Sequence, residues 1–166
     1  MMDDQISKLI NTIAAELSDM SLGKSIHGIF RVNVKYGFMH KTKSVDVENE
    51  IRVDDNGEFP LASKFVGPSG QAMFEVNMGP YFLKLYQANQ KISHDTFSFL
   101  VIDVSAAGKV HLNFVYDEDD VPFDVKAAEW RKSLGNNTSE NKSVVSKLTK
   151  DEEITNRHAL NILSSD

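Results

Sequence analysis

Cysteine is absent from all 166 residues, which excludes disulfides, thiolate-held metals and cysteine nucleophiles at once. Basic charge is also short: 18 Lys and Arg stand against 24 Asp and Glu, a formal net charge of −6. That balance disfavours binding to a phosphate backbone, so no nucleic-acid partner is expected, and it suits a basic protein partner. No run approaches the roughly 20 apolar residues of a membrane span, so no membrane association is expected. The N-terminal stretch has neither the basic nor the apolar region of a signal peptide, and the expected location is cytoplasmic. What remains is a sequence 41% hydrophobic and 25% charged, a mixture that supports one domain with a buried core.

Catalytic signatures are missing too. His27, His40, His94, His111 and His158 are scattered without metal-ligand spacing. Gly67-Pro68-Ser69-Gly70 lacks the lysine of a phosphate loop and the spacing of a dinucleotide motif. Asp117-Glu118-Asp119-Asp120 lacks the glycine and distal glutamate of an EF-hand loop. Asp46, Glu48 and Glu50 alternate along one strand. They are expected to face water, whereas acid–base work wants one carboxylate in a dry setting. The expectation is therefore no enzyme, no catalytic residue, no cofactor and no metal. The candidate partner-binding residues are Asp46, Glu48 and Glu50 together with Asp117, Glu118, Asp119 and Asp120.

The pattern of elements is clearer. Ile6, Leu9, Ile10, Ile13, Ala14, Leu17 and Met20 form one helical stripe, with Gly23 suited to end it. Phe30, Val32, Val34, Tyr36 and Phe38 alternate with polar residues, as do Val45, Val47, Ile51 and Val53, which predicts an antiparallel hairpin. Asp54-Asp55-Asn56-Gly57 ends it with turn chemistry. From Met73 to Tyr86 the spacing is helical but carries Gly79-Pro80, which predicts a kinked or broken helix ending near Gln90, or a helix beginning at Pro80 with Ala72 to Met78 as a short strand. Thr96 to Val104 and Lys109 to Tyr116 flank Ser105-Ala106-Ala107-Gly108 as a second hairpin. The first of these strands is apolar on both faces, as a central strand would be. A helix capped by Asp124 and closed by Gly135 follows, carrying the single tryptophan, Trp130, as its expected anchor on the sheet. The fold expected is α+β, an antiparallel sheet of about four strands in two hairpins with helices packed on one face. Residues 1–135 form the domain. Residues 136–166 read as a polar linker, Asn136 to Lys147, and a C-terminal helix from Thr149.

This order of elements, with Gly108-Lys109, Tyr116-Asp117-Glu118-Asp119 and Ala128-Glu129-Trp130-Arg131-Lys132-Ser133-Leu134-Gly135, resembles the YezG-like family of bacterial immunity proteins. The resemblance spans residues 3 to 135 and is densest from 96 to 135. The segment from Phe65 to Pro80 and the tail from Asn136 stand outside it. It implies a non-enzymatic protein that binds and neutralises a cognate toxin, whether secreted or delivered by contact. The partner would be the toxin's C-terminal domain, often a nuclease. No toxin-contacting residue carries over from the family. The alternative from the residues alone is an intracellular adaptor or regulatory binding module.

Overall fold

Alternating apolar residues across residues 26–53 fold as a long hairpin. Its strands β1 (Ile26–Tyr36) and β2 (Lys43–Val53) pair antiparallel from Ile26↔Val53 to Tyr36↔Lys43. The architecture comes from a computed structural model that describes residues 4–40, 43–135 and the backbone of 144–147. Helix α1 (Asp4–Met20) precedes the hairpin, and α2 (Ser63–Ser93), β3 (Phe99–Val104), β4 (Lys109–Val115), α3 (Phe123–Ser133) and β5 (Val144–Lys147) follow it. The strands lie in the order β2-β1-β3-β4-β5, each antiparallel to its neighbours. The α+β class, the antiparallel sheet and its two hairpins are as expected, with β3 in the centre.

The details differ in four places. The helix expected from Met73 starts earlier, and residues 70–79 are helical throughout. Its break falls at Gly67 (φ 76°, ψ 170°), where a residue without Cβ turns the chain and Pro68 opens the main helix. Pro80 is accommodated without leaving helical dihedrals; it and Val76, whose carbonyl it leaves unbonded, lie on the exposed side of α2. Pro122, not Asp124, precedes α3 as its cap residue, and Asp124 sits in the first turn. Within the stretch read as linker, Val144–Lys147 adds a short fifth strand beside β4. The helix expected from Thr149 lies outside the described residues.

The fourth difference concerns the layers. Helices α1 and α2 cover one face of the sheet, where Ile13, Leu17, Phe82 and Leu85 meet Ile26, Phe30, Leu100 and Ile102. Helix α3 covers the opposite face, where Ala127 and Trp130 meet Ile29 and Phe99. The helices were expected on one side only. The cause lies in the central strands, whose apolar residues point both ways, so each face needs a cover. Trp130 is the anchor it was expected to be, 7% exposed. On the other face, the Phe30 ring folds back over Gly28 and packs 4.7 Å from Phe82. A Cβ on Gly28 would lie 2.5 Å from that ring.

Two substitutions test this packing. Trp130→Ala is expected to lower unfolding free energy by roughly 3–5 kcal/mol, read as a fall in denaturant midpoint; an unchanged midpoint would mean α3 is not held by its ring. Gly28→Ala should cost about 1–3 kcal/mol by displacing Phe30, and Phe30→Leu in the same background should recover part of the loss.

Candidate partner-binding site

Strand alternation decides where the acidic ladder points. Cross-strand partners share a face, so Asp46↔Asn33, Glu48↔Arg31, Glu50↔Ile29 and Arg52↔His27 all lie on the face covered by α3. The ladder therefore runs under and beside a helix, and the expectation that all three acids face water is corrected. Asp46 is exposed, Glu48 is half-buried and takes a hydrogen bond from Asn33 Nδ2 at 3.0 Å. Glu50 is 14% exposed and accepts from Arg131 through both oxygens, at 2.7 and 2.6 Å, and from Arg52 Nε at 2.7 Å. Burial alone would raise its pKa. The hydrogen bonds and charges of Arg131 and Arg52 outweigh that and hold the carboxyl below the usual glutamate range.

The second acidic cluster is just as divided. Glu118 binds Lys126 Nζ through both oxygens, at 3.1 and 2.9 Å. Asp119 accepts from Ser98 Oγ at 2.8 Å, and the same hydroxyl accepts from the Glu118 backbone N–H at 2.9 Å. Asp117 holds a left-handed conformation (φ 62°) and, like Asp120, is exposed; neither has an ion pair or hydrogen bond to any described side chain. Arg31 is the link between the clusters. It sits opposite Glu48, stacks 4.1 Å over the Phe99 ring, and donates to the carbonyls of Glu118 and Val121. The structure thus brings the ladder and the acidic loop to one side of the sheet, around α3. It withdraws Glu50 and Glu118 into ion pairs and leaves Asp46, Asp117 and Asp120 outermost.

Sequence reading missed the basic residues of this arrangement. Arg31, Lys126 and Arg131 each hold part of it, and only Arg31 was within reach once the hairpin register was assumed. A second pairing was also hidden: His27 Nδ1 lies 2.6 Å from Asp103 Oδ1, with the ring edge-on to Phe59. Asp103 in turn faces His111 across β3 and β4. Among the described residues no group of three His, Asp or Glu could hold a metal ion, and no helix is long and apolar enough to cross a membrane. No family model matches the chain, and no curated protein is significantly similar to it.

The two arginines make a pH-dependent contribution. A depressed folded pKa stabilises the fold at neutral pH, and that stabilisation disappears as pH falls through the depressed value. Glu50→Gln should therefore cost about 1–3 kcal/mol at pH 7 and progressively less in acid below the usual glutamate range. Urea unfolding of both proteins across pH checks this; a penalty independent of pH would show that the charge of Glu50 is not what matters.

Proposed function

We propose that this protein is a non-enzymatic immunity protein of the cytoplasm. It binds a cognate toxin domain and blocks it by direct contact, and a nuclease is the toxin chemistry that best suits its charge. One observation carries the reading. Glu50 and Glu118 are neutralised internally by residues of α3, while Asp46, on the sheet face that α3 covers, and Asp117 and Asp120, in the loop leading into α3, remain exposed. The resemblance read from residues 96–135 points the same way from the sequence. Nuclease surfaces are commonly basic because they hold phosphates, so outward carboxylates speed the encounter and orient it.

The experiment measures association with any candidate toxin domain found encoded beside this gene, at low and high salt. Asp46→Lys, and Asp117→Lys with Asp120→Lys, should leave the fold intact and slow association by about tenfold or more at low salt. The effect should shrink as salt screens exposed charge. Unchanged association rates in both variants would place the interface elsewhere. A neighbouring gene set with no toxin, together with binding to a cellular regulator, would favour the adaptor reading.

A further inference from the structure

β1 and β3 part company halfway along the sheet. Their pairing runs from Ile26↔Val104 to Phe30↔Leu100 and stops, although β1 continues to Tyr36. On β2, the Val53 N–H and the Ile51 carbonyl point away from β1, toward Pro60 and Ala62. Since backbone direction alternates along a regular ladder, the even-numbered residues of β1 turn their N–H and C=O groups toward β3. Beyond Phe30, Val32 and Val34 therefore present these groups to a gap, and no described backbone group pairs with them there. Thr96 to Ser98, which would have continued β3, instead swing toward β4, with the Ser98 N–H donating to the Val115 carbonyl.

The gap is a trough. One cavity of about 280 Å³ lies between Arg31–Val34 and Thr96–Ser98, with Asp119 at its end. An adjoining cavity of about 370 Å³, sharing Val34 and Tyr86, runs on between the hairpin and α2 as far as Tyr36, Lys43 and Lys91. Its outer end is basic. Lys43 and Lys91 have no carboxylate partner among the described residues, in a protein with a net charge of −6. Beyond them the hairpin tip exposes Tyr36 (54%), Phe38 (84%) and Met39 (69%). A buried edge of unpaired backbone costs free energy when dry, so a strand is the occupant that satisfies it.

We propose that this trough binds an extended segment of a partner protein as an added strand along Val32–Tyr36. The segment runs antiparallel to β1, in line with β3, so its N-terminal end meets the lysines and carries carboxylates. The opposite end lies near Asp119. Backbone hydrogen bonds to Val32 and Val34 supply affinity, and the lysines set direction and charge preference. The trough meets the acids around α3 only at Asp119, and its test needs no toxin.

The probe is a fluorescein-labelled peptide of alternating threonine and valine begun by two glutamates, compared with the same peptide begun by two lysines. Anisotropy should show the glutamate peptide binding at least about tenfold more tightly to the wild type, a difference of about 1.4 kcal/mol. Val34→Pro removes the N–H that faces the trough at an edge position that tolerates proline, and should abolish binding. Val34→Thr keeps the N–H and the branched side chain and should bind as the wild type does. Lys43→Glu with Lys91→Glu should reverse the peptide preference, which keeps the test decisive if the proline variant unfolds. No binding by the wild type at about 1 mM peptide, equal binding of the two peptides, or undiminished binding by a folded Val34→Pro overturns the proposal. So does a wild-type dimer that Val34→Pro dissociates, since that would assign the trough to a second copy.

Discussion

Burial of the central strands on both faces is the constraint on which the rest of the molecule depends. Phe30, Leu100 and Ile102 require the large cover that α1 and α2 supply, while Ile29 and Phe99 require a second cover on the other side. The chain meets that second need with an 11-residue helix that buries only Ala127 and Trp130. A helix so short and so polar is marginal by itself and is held by what it packs against. Lys126 near its start and Arg131 near its end tie it to Glu118 and Glu50. Two of the acids that looked like an interaction surface thus belong to the attachment of α3. The same helix lies on the ladder face, where Asp46 stays exposed beyond Glu48.

The sequence showed the strands, their faces and the turns well, because alternation with a period of two is a local signal. Val45, Val47, Ile51 and Val53 on one side and Asp46, Glu48 and Glu50 on the other need no tertiary information to be sorted. The burial of Trp130 was legible for a similar reason, as a lone large ring on a helix among charges. What was not legible is which face receives each helix. That choice depends on the connection from β4 through residues 116–122, which Arg31 on β1 and Ser98 just before β3 hold in place. Nothing near Asp117 in sequence announces those partners. The half-buried state of Glu50 was hidden likewise, since its arginine at position 131 lies 81 residues away.

On the proposed reading, charge and backbone divide the work of recognition between two places. Around α3, carboxylates without internal partners give an acidic field suited to drawing in a basic protein from a distance. Along Val32–Tyr36, unpaired backbone and two lysines would offer directional contacts of short range to an extended segment. The hairpin serves both, with its odd-numbered β1 residues on the face of α3 and its free edge on the trough.

The central claim is that a basic partner docks against the acids around α3. Amide hydrogen exchange of the protein, alone and with a toxin domain that it is shown to bind, tests this by position. The account predicts slowed exchange across residues 116–124 and 44–48 in the complex, with α1 unchanged. Protection confined to α1, or to the exposed side of α2 around Met73 and Val76, would contradict it.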